Sequence, residues 1–149
     1  LGDGFLAVFG APASNTRDAD CAVRAALEMQ RRMKDLHFPI GGVTAAPVRM
    51  GISIHTGEAV VGNIGSKHLM NYTAVGDAVV VAKRLQEIAE GSSILVSQQV
   101  YDQVHAIVAA RDIGIVSVKN RSEPVRVYEV LHECTSCDDS PDIREAPSQ

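Results

Sequence analysis

Tryptophan is absent from this 149-residue sequence, and its aromatic residues are only three Tyr and three Phe. Positive charge is not in excess either, since the formal net charge is −4. The deficit is local. From Glu133 onward five acids (Glu133, Asp138, Asp139, Asp142, Glu145) stand against Arg144, which leaves 13 bases and 13 acids before them. A neutral body with few stacking rings argues against a nucleic-acid partner, which needs a basic footprint. No apolar run approaches the roughly 18 residues of a spanning helix; runs such as Ala78 to Ala82 are far shorter. No charged segment followed by an apolar core opens the chain, so no secretory signal and no membrane contact by this chain are expected. That pattern reads as cytoplasmic, on a parent that could itself be membrane-anchored.

The three cysteines cannot all pair with one another. Cys21 lies in a helical pattern and reads as a small buried thiol. Cys134 and Cys137 sit in a polar segment with His132 beside them. One such pair without a second reads as tail sequence before it reads as a zinc site. The chain opens on Leu1 within a turn motif, not on Met, and so reads as a fragment.

Periodicity supplies the elements. Gly2-Asp3-Gly4 reads as a turn feeding a short buried strand, Phe5 to Phe9. Asp18 to Leu36 reads as a helix, with Ala19, Val23, Ala26, Leu27, Met33 and Leu36 recurring at steps of three and four. Residues 37–47 form a link. Val48 to His55 alternates and reads as a strand, followed by strands at Ala59 to Ile64 and Asn71 to Val75 around a polar tip. Ala78 to Glu90 reads as a helix with Asp77 as its N-cap. A strand at Ile94 to Val96 follows, then a helix from Ser97 to Val108 with Ser97 at its cap. Strands at Ile113 to Val118 and Val125 to Leu131 complete the pattern. The order implies an α+β, ferredoxin-like sandwich with one mixed or antiparallel sheet and helices packed on one side. Residues 1–131 form the domain, and residues 132–149 an acidic tail expected to be disordered.

Four segments together resemble the class III nucleotide cyclase catalytic domain. They are Leu1 to Pro12 (LGDGFLAVFGAP), Val48 to Gly65 (VRMGISIHTGEAVVGNIG), Asn71 to Leu85 (NYTAVGDAVVVAKRL) and Val118 to Val130 (VKNRSEPVRVYEV). They stand in the family's order and spacing, with the family's first elements missing. The resemblance implies conversion of a nucleoside triphosphate to a 3′,5′-cyclic monophosphate and pyrophosphate. It further implies two divalent ions, Mg²⁺ or Mn²⁺, and a site shared between two chains in a homodimer or cyclase-domain heterodimer.

Residue by residue, Asp3 matches one of two metal-binding aspartates. A carboxylate between glycines can approach a hard cation closely, although Gly-Asp-Gly is also an ordinary turn. Thr73 matches the purine-reading position and leans towards ATP, while serving equally well as a β-branched strand residue. Arg84 matches the arginine that stabilises the transition-state phosphate, a task suited to a guanidinium fork. Lys83 beside it reads as solvated. Lys119 matches the lysine that holds the terminal phosphates, and reads equally as a charged turn residue.

Two positions depart from the family. Val80 stands where the family has a ribose-positioning Asn, and Asn120 where it generally has Gly. His55, in the signature His55-Thr56-Gly57, reads as a packing or hydrogen-bonding residue, with Gly62 and Gly65 allowing close backbone approach. Two function classes follow. One is an adenylate cyclase domain, inactive as this chain alone because one metal ligand and the family's base-reading Lys are not in it. The other is a degenerate cyclase-like dimerisation or regulatory module, suggested by Val80. An unrelated ferredoxin-like metabolic enzyme would require the four-segment match to be chance.

Overall fold

Helix α1 (Asp18–Met33) forms because Ala19, Ala22, Val23 and Ala26 make one apolar stripe, which is buried, while acids open the helix and Arg31 and Arg32 close it. That placement of charge favours the helix dipole. On its outer face Arg31 and Arg32 both bond Glu28 and hold its carboxyl down at about 2. These observations come from a computed structural model, which describes residues 4–36, 48–66, 69–117 and 124–134. The expected link over residues 37–47, the turn at 119–123 and residues 135–149 of the tail lie outside the described residues.

The remaining elements follow in chain order as β1 (Ile52–Ile54), β2 (Val60–Ser66), β3 (Leu69–Val75), α2 (Asp77–Ile88), β4 (Ile94–Ser97), α3 (Gln98–Val104), β5 (Val108–Val116) and β6 (Val125–Glu133). The main sheet has the order β1-β4-β6-β5. β1 pairs with β4 in parallel, while β4–β6 and β5–β6 are antiparallel. β2 and β3 form a separate antiparallel hairpin from Val60↔Val75 to Ser66↔Leu69. The α+β class and the mixed sheet match the sequence reading.

Alternation along the strands sends side chains to two cores. Ile94, Val96 and Val130 pack with Val23, Val100 and Val104 of α1 and α3. Leu95, Val125 and Val127 point the other way and pack with Val81 and Leu85 of α2. α1 and α3 therefore share one face as expected, and α2 covers the opposite face. The physical reason is that β4 and β6 are apolar on both sides, so each face needs a cover.

Several expectations are corrected. Phe5 to Phe9 is neither strand nor buried, because no strand among the described residues pairs with it and its apolar side chains stay exposed. Cys21 is exposed, since it points away from the stripe set by Ala19, Val23 and Ala26. Leu36 is exposed beyond the end of α1. Instead Gln30 is buried, its side-chain amide donating to the Met50 carbonyl and so tying α1 to the approach of β1. α3 ends at Val104, and β5 starts at Val108, five residues before its expected start, because Val108 pairs with Glu133 of β6. β6 likewise runs past Leu131 to Glu133, where Arg24 of α1 makes an ion pair. No helix among the described residues is long and apolar enough to cross a membrane.

Because Leu85 is fully buried at the centre of the α2 core, Leu85→Ala is expected to lower stability by about 3 kcal/mol. The midpoint and slope of urea unfolding check this.

Candidate functional site

α2 carries a narrow buried stripe, Val81 and Leu85, which are one turn apart. Two residues round the wheel from Ala82 lie Val80 and Arg84, themselves one turn apart on the outer face. Val80 is 49% exposed, and the Arg84 side chain is 44% exposed. Arg84 donates from Nη1 to Glu87 Oε2 at 2.6 Å. Lys83 is exposed, as its solvated reading expects.

Thr73 lies in β3 opposite Gly62 of β2 and is half-buried. β3 passes directly into α2 through Gly76, so Thr73 and Arg84 belong to one continuous strand-turn-helix unit. No hydrogen bond or ion pair joins them. Arg84 stands seven residues into α2, roughly 10 Å along its axis. One chain thus carries the two groups on consecutive elements, β3 and α2. Asp3, Lys119 and Asn120 lie outside the described residues.

The root of the hairpin is tightly pinched. A Cβ at Gly76, where φ is 155°, would lie 3.0 Å from the Glu58 carbonyl oxygen and 3.1 Å from Ala59 Cα. A Cβ at Gly57 would lie 3.1 Å from Ala78 Cβ. Beside this pinch is an open depression of about 410 Å³ lined by Glu58, Ala59, Val60, Val75 and Gly76. Val60 is 72% exposed and Val75 52%, with Tyr72 exposed on the hairpin's other face. A Cβ at Gly62 would meet nothing within 4 Å among the described residues of this chain.

His55 makes the expected hydrogen bond, between Nδ1 and Ser97 Oγ at 2.8 Å. Its partner was not legible from sequence, because the parallel register Ile54↔Val96 brings together residues 42 apart. Ser97 does occupy the N-cap of α3, but its side chain makes no cap bond. Asp77 is the first helical residue of α2, with Gly76 at the cap. Sequence reasoning also missed Glu87 as the partner of Arg84, although opposite charges three residues apart on a helix are a readable signal. The described residues hold no cluster of three or more His, Cys, Asp or Glu suited to a metal ion.

Residues 1–132 match the family described as the adenylate and guanylate cyclase catalytic domain. Adenylate cyclase 1 of Rhizobium meliloti is 37% identical over 132 residues, which is 87% of this chain and 20% of that protein. The chain therefore spans about a fifth of that relative's length. Among solved structures, the guanylyl cyclase Cya2 is 33% identical with a TM-score of 0.82, covering 93% of this chain and 70% of that one. The adenylyl cyclase CyaB of P. aeruginosa is also 33% identical, with a TM-score of 0.72 over 85% of this chain and 66% of that one.

With backbone atoms so close to Gly76, Gly76→Ala is expected to cost about 2 kcal/mol, since an alanine there is strained as well as crowded. A lowered urea midpoint would show it; an unchanged midpoint would mean the pinch relaxes freely.

Proposed function

Because the chain belongs to the adenylate and guanylate cyclase catalytic domain family, we propose that it makes 3′,5′-cyclic AMP and pyrophosphate from ATP, as half of a site completed by a second cyclase domain. The observation that carries this reading is the outer face of α2. It offers a permanently charged guanidinium, Arg84, paired among the described residues with an exposed neighbour, Glu87. Exposed ion pairs of this kind are weak, so a triphosphate readily takes the guanidinium over.

In the reaction the ribose 3′ oxygen bonds to the α-phosphorus, and the bond from that phosphorus to the bridging oxygen breaks. Pyrophosphate leaves with the electron pair, and the 3′ proton is released. Arg84 stabilises the charge that gathers on the α-phosphoryl oxygens. Thr73 reads the purine edge through its hydroxyl, and threonine at the family's purine-reading position favours ATP over GTP. Lys119 holds the terminal phosphates. Domains of this family generally use divalent ions, which acidify the hydroxyl and offset phosphate charge. The carboxylate of Asp3 is the hard oxygen donor that Mg²⁺ or Mn²⁺ prefers. The apolar exposure of Val60 and Val75 at the hairpin root supports a partner domain there, in a homodimer or a cyclase heterodimer. The reading places the domain in the cytoplasm, with its substrate.

A second reading, a cyclase-like dimerisation or regulatory module, is favoured by Val80. That side chain stands on the same outer face as Arg84 and cannot hydrogen-bond a ribose.

The test is cyclic nucleotide production by the full-length protein with Mn²⁺ and either ATP or GTP. ATP is expected to be turned over in preference, and residues 1–149 alone are expected to be inactive. Arg84→Ala should reduce turnover by about a hundredfold, the usual scale for one preorganised donor. Val80→Asn should raise it by a comparable factor by restoring a ribose contact. No product from wild type or Val80→Asn, together with a stable dimer, would support the module and end the enzyme reading.

A further inference from the structure

The end of β1 and the first turns of α2 are joined by contacts that the chemistry above does not use. Ser53 and His55 lie two apart along the β1 direction, so they share a side of the sheet about 6.7 Å apart. Ser53 Oγ donates to the Ala82 carbonyl of α2 at 2.6 Å. Gly57, two residues beyond His55, packs on the previous turn of the same helix. A Cβ at Gly57 would lie 3.1 Å from Ala78 Cβ and 3.6 Å from His55 Nε2, so the ring flanks the glycine that packs on Ala78. Ala78 and Ala82 are one turn apart, about 6 Å along the axis. The segment from Ser53 to Gly57 therefore meets α2 at two consecutive turns, Ala82 and then Ala78, running opposite to the helix.

The other side of the imidazole is fixed from below. Nδ1 bonds the hydroxyl of Ser97, which is fully buried. A serine at a helix N-cap ordinarily spends its oxygen on the helix amides. Ser97 makes no such bond and gives its hydroxyl to His55 instead. β1 and β4 are parallel, so both side chains leave the sheet at the same end, where α2 begins.

We propose that His55 is a positioning residue for Arg84: pinned by Ser97, its ring sets where the first turn of α2 rests on the sheet. This rests on the cyclase reading. Arg84 lies two residues beyond Ala82, on the opposite side of the helix, so any tilt or roll of α2 about its seat moves the guanidinium directly. A displacement near 1 Å at a group that meets only the transition state lowers turnover more than it lowers affinity.

The experiment uses the full-length protein with ATP and Mn²⁺, and scales every rate to the folded fraction. His55→Ala is expected to reduce kcat about tenfold while KM for ATP stays within about twofold. Ser97→Ala should give a similar loss, and the double variant no more than either alone, because both break one link. His55→Asn, whose amide can stand where Nδ1 does, should recover most of the rate. Hydrogen exchange supplies a readout independent of turnover. His55→Ala should speed exchange of the amides over Asp77–Val81 and leave those of β5 and β6 unchanged.

An unchanged kcat per folded molecule, losses that multiply in the double variant, or exchange that rises uniformly would each overturn the proposal. A wild type without turnover would overturn the cyclase reading and the role towards Arg84 with it. The exchange pattern would then still decide whether His55 seats α2.

Discussion

The burial of Val81 and Leu85 against Leu95, Val125 and Val127 is the contact on which the rest of the site depends. An isolated helix the length of α2 is marginal in water, so its existence and its orientation come from this patch. Fully burying two such side chains is worth roughly 1.5–3 kcal/mol each. Because the buried stripe is only two residues long, it fixes which face of α2 points outward. Val80 and Arg84, each one residue before a buried one, flank that stripe on an exposed side as a consequence. A guanidinium aimed at solvent is then a result of sheet packing, with no further structure needed to expose it.

The same strand that feeds α2 belongs to a hairpin that has little beneath it. A two-stranded hairpin on its own is marginally stable at best, and among the described residues β2 and β3 pair only with each other. What holds the hairpin to the body is its root, where Gly57 admits Ala78 and Gly76 admits the backbone of Glu58 and Ala59. Ala74 is the buried anchor on one strand, while Val60 and Val75 stay open to solvent. A single chain thus builds a rigid root and an incomplete apolar surface above it. That division suits the proposed shared site, in which the second domain supplies the missing cover.

Legibility from sequence followed how local each signal was. α1 and α2 carry their period within the chain, and each was readable to within a few residues at its ends. The hairpin was readable because polar residues interrupt two β-branched runs. The segment Phe5 to Phe9 has an equally strong strand composition, yet composition cannot supply a pairing partner, and none is present among the described residues. The boundary between α3 and β5 was misplaced because Val104, Ile107 and Val108 fit a helical face as well as they fit a turn into a strand. Only pairing with β6 decides between the two. The side of the sheet taken by α2 was equally non-local, since it depends on β4 and β6 being apolar on both faces. Of the candidate site, Thr73 and Arg84 were identified from the family resemblance, and their burial and partners came only from the fold. The His55–Ser97 bond needed the β1–β4 register.

Val80 separates what the fold demands from what function demands. A valine in a helix carries a small propensity cost relative to straight-chain residues, and packing often offsets it. Here Val80 is half-exposed and belongs to neither core, so packing within the chain gives no reason for an apolar, β-branched residue there. Leu85, one turn and one residue further on, shows the contrast: it is fully buried and structurally required. An amide at position 80 would therefore leave both cores intact. In the proposed reading, valine at this position acts at the surface that would meet substrate or partner, where Arg84 also stands. An apolar side chain beside a guanidinium weakens a ribose contact and strengthens a protein contact, so the choice between enzyme and module is concentrated on this one face of α2.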